Sequence, residues 1–141
     1  TMNEKNNCVL KLDHLIFDEL HFERKGFQNQ NVLQYRFGFN FETHGSTGLI
    51  AHVLIEGNKQ DEYTVLVRAS GYFVLDESSE YDRLILRQNA AAIVFPYMRS
   101  QLSLLTSQPE VDPLILQPVN IAQLVKETLE EDDKTKSAKN E

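Results

Sequence analysis

The side chains able to do chemistry are few and scattered. His14, His21, His44 and His52 are the candidates for metal ligation or proton transfer. None has the helical spacing that sets two ligands on one face, and none is paired with a cysteine in a zinc pattern. The adjacent acids Asp18/Glu19, Asp61/Glu62 and Asp76/Glu77 are the other option. Neighbours on a strand or turn diverge, so these carboxylates do not converge as general acid and base. Cys8 is the only cysteine; it excludes an internal disulfide, suits a reducing compartment and reads as a small apolar strand residue. The six glycines are dispersed over turns and bulges, with no phosphate-cradling loop and no nucleophile elbow. The sequence therefore predicts no catalytic set, no metal site and no cofactor. What remains is apolar surface.

Two stretches carry that surface. Leu33, Tyr35, Phe37, Phe39 and Phe41 point one way along a strand, while Gln34, Arg36, Gly38, Asn40 and Glu42 point the other. Farther on, Pro113 and Pro118 enclose Leu114, Ile115 and Leu116, a loop too apolar for a solvated linker. Each stretch reads either as core or oligomer interface, or as an exposed patch for a partner.

The bulk properties bound the choices. A chain of 141 residues, 41% hydrophobic and 25% charged, fits one ordinary domain with one core. A net charge of −7 repels phosphate backbones, so nucleic acid is not an expected partner. Thr1–Asn7 has no apolar core of a secretory signal, and the apolar run Ala90–Phe95 is far short of the roughly 20 residues of a membrane span. The expectation is a cytoplasmic protein without direct membrane insertion.

The elements that must position the apolar surface follow from periodicity. From Cys8 to Glu23, Leu10, Leu12, Ile16, Leu20 and Phe22 keep one phase while Leu15 and Phe17 break it. That pattern predicts a long strand with a bulge or bend near His14–Phe17. Arg24–Asn31 reads as a loop, Leu33–Phe41 as a second strand, and Leu49, Ala51, Val53 and Ile55 as a third. Tyr63–Leu75 is a fourth strand, with Gly71 marking a bulge or close approach. Four strands joined by short turns predict an antiparallel meander. Past Asp76 the period changes: Leu84, Ile85, Gln88, Ala91, Ala92 and Phe95 predict a helix with Ser78 or Ser79 as N-cap. Pro96 predicts a kink before the helix resumes through Met98, Leu102 and Leu105 and ends near Ser107. Asn120 caps a last helix, with Gln123 completing a capping-box variant and Ile121, Leu124, Val125 and Leu129 forming its apolar stripe. Glu130–Asp133 oppose that helix's dipole, which predicts fraying there. The expected fold class is α+β, in a single domain over 1–141. It combines a four-stranded antiparallel meander with a long kinked helix and a shorter C-terminal helix on one face. The ordered core is expected over about 8–130, followed by a disordered acidic tail at 131–141.

Two segments resemble a known family. Ile93-Val-Phe-Pro-Tyr-Met-Arg99 and Pro118-Val-Asn-Ile-Ala-Gln-Leu124 are similar to stretches of the bacterial protein-export chaperone family SecB. That family carries Phe-Pro-Tyr-Ala-Arg in its long helix and Pro-Val/Ile-Asn-Phe-Asp-Ala-Leu at the start of its last helix, at similar separation. Ile16–Glu23 and Gly71-Tyr-Phe73 add weaker similarity, so the resemblance touches most of Leu10–Leu129. It implies a non-enzymatic holdase, assembled as a dimer of dimers, that takes unfolded or secretory polypeptides into apolar grooves. Phe37, Phe39 and Phe41 resemble groove residues of the second strand; Leu114, Leu116, Ile121 and Leu124 resemble those of the loop and helix opposite. Glu19 and Glu23 resemble two acidic positions that dock the translocation motor SecA, whereas Leu66 replaces a third. The alternative is an interaction or scaffolding protein of the same fold with one folded partner. If Phe39 faces an open groove, Phe39→Asp is expected to abolish client binding and leave the fold intact.

Overall fold

In a computed structural model, residues 10–75 and 82–139 are described, with side chains as far as Asp132. Cys8 and the expected caps Ser78 and Ser79 lie outside the described residues. Four strands, β1 (Leu10–Arg24), β2 (Leu33–His44), β3 (Gly48–Lys59) and β4 (Tyr63–Leu75), precede two helices, α1 (Arg83–Leu105) and α2 (Ile121–Lys139). The architecture is α+β, as the periodicity predicts.

All strand pairs are antiparallel, but the order in the sheet is β1-β4-β3-β2. This corrects the full meander: β2, β3 and β4 follow one another by tight turns, while β1 lies beyond β4, on the edge opposite β2. Segment 25–32 is therefore a crossover from one edge to the other. It has to pass the β3–β4 turn, because β1 ends with Arg24 opposite Tyr63 and β2 begins with Leu33 opposite Lys59.

β1 carries two register shifts, between Leu12 and His14 and between Phe17 and Glu19. Each inserts one residue and reverses the side-chain phase. Leu10, Leu12, Leu15, Phe17, Leu20 and Phe22 consequently all fall opposite Leu75, Phe73, Gly71, Ala69, Val67 and Val65, the row of β4 that faces the helices. Leu15 and Phe17 are thus in phase with the core, and it is Ile16 that turns to the outer face and is exposed.

The core lies between the sheet and α1. Leu49, Val53 and Ile55 of β3, and Val65, Val67 and Ala69 of β4, meet Ala90, Ala91, Val94, Met98 and Leu102 of α1, all of them buried. Full burial of such a branched or thioether side chain contributes about 1.5–3 kcal/mol. The helix can approach closely because Gly71 lacks a Cβ; one added there would lie 2.6 Å from Val94 Cγ2. α1 runs from Arg83 to Leu105 with Pro96 inside it. Its N-cap is Asp82, whose carboxylate accepts from Leu84 N at 2.8 Å, and Thr106 closes its C-terminus by donating from Oγ1 to Leu102 O. α2 is capped by Asn120, whose Oδ1 accepts from Gln123 N at 3.1 Å. The capping box stays half-formed, since the Gln123 amide donates forward to Glu127. α2 continues to Lys139, past the residues where the charge run predicts fraying and a disordered tail. No glycine or proline interrupts that stretch.

Candidate functional site

Cover over the sheet is uneven. α1 lies over β4, β3 and β1, whereas β2, an outer strand, is reached only lightly by α2. The helix-side row of β2 is therefore partly open. Phe37 is half-buried, its ring 6.0 Å from Tyr35 and 6.2 Å from Phe95. Phe41 is also half-buried, with the Arg87 guanidinium 5.7 Å above its ring in a cation–π contact. Phe39, between them and opposite Val53, is only 6% exposed and belongs to the core.

The segment from Ser107 to Asn120 is hung on α1 by its backbone. Leu114 N donates to Thr106 Oγ1 at 2.7 Å, Ser103 Oγ donates to Leu114 O at 2.7 Å, and Arg99 Nη2 donates to Leu116 O at 3.0 Å. These bonds turn Leu116 inward, to 3% exposure, and leave Ile115 at 72%. Between Pro96, Arg99, Ser100 and Ser103 of α1 and Ile115–Leu116 a cleft of ≈ 280 Å³ stays open. Of the residues expected in a groove, Phe37, Phe41, Leu114, Ile121 and Leu124 are half-buried along the margin of the core. Phe39 and Leu116 are sealed in the core cluster, a correction to the open groove expected of them: Phe39 faces the helix side opposite Val53, and the hydrogen bonds of the segment turn Leu116 inward.

Among the described residues, the most exposed large apolar groups were not among those expectations. Phe27 is 88% exposed and Val32 80%, both on the crossover. Periodicity cannot reveal them, because they stand alone in a polar loop; the available signal was two large apolar residues among Asn, Gln and Lys. Nearby, burial holds the Tyr35 phenol above its ordinary value. Burial, helped by the charge of Glu62 and by Tyr35, pushes Tyr63 to about 12, so both phenols stay neutral.

The outer face of the sheet mixes charged and polar groups with apolar ones, among them the exposed Ile16 and Val74. Glu19 and Glu23 lie on it, opposite Arg68 and Thr64, and Leu66 sits beside them opposite His21. Arg68 Nε donates to Glu19 Oε2 at 3.0 Å and His21 Nε2 lies 3.7 Å from Glu23 Oε2, so each of the two acids has a neighbouring partner on the sheet. A trough of ≈ 460 Å³ runs between Asp18, Gly38, Asn40, Glu42, His52, Leu54 and Arg68. Ser70 Oγ donates to Asp18 Oδ2 at 2.6 Å and lies 2.8 Å from His52 Nδ1. The serine–histidine contact has the composition of a nucleophile and its base. Ser70 is nonetheless buried with its proton committed to Asp18, so the group acts as a network joining β1, β4 and β3. Among the described residues, no group of three or more His, Cys, Asp or Glu is placed to hold a metal. Among them also, no helix is long and apolar enough to cross a membrane.

Sheet order, helix placement and the partly open row on β2 define an α+β protein whose distinctive surface is apolar. The chain belongs to the SecB family: residues 40–132, from β2 into α2, match the family of the preprotein translocase subunit SecB. It is 33% identical over 133 residues to the uncharacterized protein MJ0357 of Methanocaldococcus jannaschii, covering 86% of this chain and 85% of that one. In fold it is similar to the Mycobacterium tuberculosis Rv1957 SecB-like chaperone, solved in complex with a ChAD peptide from the Rv1956 HigA1 antitoxin. That similarity has a TM-score of 0.57 at 16% identity and covers 78% of this chain and 90% of the other. Membership in the SecB family supports a chaperone-type role.

Proposed function

We propose that the protein is a cytoplasmic holdase that binds unfolded polypeptides through the apolar margin of β2, the segment after α1 and the start of α2. The observation that carries this reading is the half-buried set Phe37, Phe41, Leu114, Ile121 and Leu124 along the margin of the core, with the exposed Ile115 next to Leu114 in the chain. Each Å² of client apolar surface covered there contributes about 25 cal/mol. An extended client adds backbone hydrogen bonds where strand or loop groups are free. No covalent step is needed, so selectivity is broad. Several weak sites on one homo-oligomer, a dimer of dimers in this reading, act together through effective concentration. Service to protein export is part of the reading; against docking to SecA stand Leu66 in place of an acid and the pairing of Glu19 with Arg68 and of Glu23 with His21.

The test is aggregation of a chemically denatured client diluted into buffer. Sub-stoichiometric to equimolar protein is expected to keep the client soluble; an inert result at molar excess removes the reading. A second reading, one dedicated partner, is favoured by the antitoxin peptide carried by the similar Rv1957 chaperone. Affinity purification that returns a single stoichiometric species, together with no effect on denatured clients, would select it.

A further inference from the structure

On the outer face of the sheet three histidines stand beside a carboxylate: His14 by Asp13, His21 by Glu23 and His52 by Glu42. The first two pairs are more than half exposed on both sides. The third is built differently. Ser70 Oγ carries one proton and donates it to Asp18 Oδ2 at 2.6 Å, since an ionised carboxylate only accepts. The serine oxygen must therefore accept from His52 Nδ1, 2.8 Å away. That bond fixes the ring proton on Nδ1 and leaves the lone pair of the neutral ring on Nε2.

Nε2 is buried and, among the described residues, has no hydrogen-bond partner. Glu42 Oε1 stands 3.5 Å from it. Two acceptors are thus set against each other, which is unfavourable until something positive joins them. A proton between them would draw the pair to about 2.7–2.9 Å, the length of a charge-assisted hydrogen bond. Two ligand atoms on one tetrahedral zinc, with bonds of about 2.0–2.2 Å, lie about 3.3–3.5 Å apart. The observed separation matches the second case. The surroundings match it too. A metal-bound histidine donates its other ring N–H to a group that fixes the tautomer, commonly a carboxylate, and here Ser70 relays that bond to Asp18. Gly38 lines the trough of ≈ 460 Å³ beside the pair, and Arg68, the cation on its wall, is turned to Glu19.

We propose that His52 Nε2 and Glu42 form a site for a divalent transition ion of the zinc class, with Ser70 and Asp18 as positioning residues and water in the remaining coordination places. The pair is smaller than the groups of three His, Cys, Asp or Glu that are absent among the described residues, so the ion is exchangeable. Once bound, it ties the edge strand β2 to β3 and, through Ser70 and Asp18, to β4 and β1. This site is independent of the holdase reading.

The experiment titrates Zn²⁺ into the full chain at neutral pH by calorimetry, with thermal unfolding as a second readout. One ion per chain and a higher unfolding midpoint in its presence are expected. His52→Gln is expected to abolish binding. Glu42→Gln and Asp18→Asn should each weaken it about tenfold, although Asp18 touches no ion. His14→Gln and His21→Gln should leave it unchanged. Glu42 is 55% exposed, so its variant carries the test if His52→Gln does not fold. No binding at millimolar Zn²⁺, equal losses in His14→Gln and His21→Gln, or full affinity in Asp18→Asn would overturn the site.

Discussion

β2 and β4 each present a row of apolar residues to the helix side of the sheet, and the fold treats the two rows differently. On β4, Val65, Val67 and Ala69 are sealed beneath α1; on β2, only Phe39 is, and Phe37 and Phe41 stay half-open. The difference is position: β4 lies between two strands under a helix, while β2 is an edge that α2 barely covers. Alternation thus announces which face is apolar, and sheet order decides how much of that face is left for a guest.

Substitutions can break or sharpen this contrast. Val67→Asp places an unpaired carboxylate at a fully buried position, and the cost of several kcal/mol should abolish the cooperative unfolding transition seen by denaturant titration. Phe39→Asp should fall on the β4 side of the comparison, because Phe39 is core: a loss of stability comparable to that of Val67→Asp is expected, in place of the selective binding defect that an open Phe39 would give. Phe41→Ser should fall on the other side, costing about 1–2 kcal/mol in denaturation while reducing affinity for an unfolded client roughly tenfold. Equal loss of stability at Phe39 and Phe41 would erase the distinction.

The smallest effect is a pH dependence at the crossover. Burial alone would raise the pKa of Glu62, but the Lys59 hydrogen bond, the Asn29 N–H and the charges of Lys59 and Arg24 outweigh it and hold the carboxyl below its ordinary value. A carboxylate lowered in the folded state contributes stability that is complete above its unfolded value, about 4.3, and is lost as pH falls through the lower folded value. Stability measured from pH 7 downward should therefore begin to fall near pH 4.5, and Glu62→Gln should flatten that part of the profile. An identical profile in the variant would show that other carboxylates carry the dependence.

Much of this fold was legible because strands and helices announce themselves by period. The positions of β2, β3, β4 and α1 follow from alternation and three-to-four spacing, and Asn120 identifies itself as a cap. Strand order was not legible: a polar loop of the length of 25–32 serves a hairpin or a crossover equally well, and only tertiary pairing puts β1 beside β4. The phase of β1 was half-legible, since one irregularity was visible near His14 while the second, at Phe17/Glu19, restores the original phase and so conceals itself. At the candidate site, residue type was readable and accessibility was not. Leu114, Ile115 and Leu116 are equally apolar, and three hydrogen bonds from the side chains of Arg99, Ser103 and Thr106 to the segment's backbone decide that Leu116 is buried and Ile115 exposed. The cap of α1 is Asp82 because the helix begins at Arg83, directly before Leu84, the first apolar residue of its period.

The sheet order also sets a sequence of events in time. β2, β3 and β4 close through tight turns, so their pairing costs little loop entropy, whereas Leu10 must find Leu75 across most of the domain. β1 should be the last strand to join during folding and the first to detach. Its amides at the Leu10 end should trade hydrogen for deuterium before those of β3, giving the chain a way to open one edge while the β2–β4 unit stays paired.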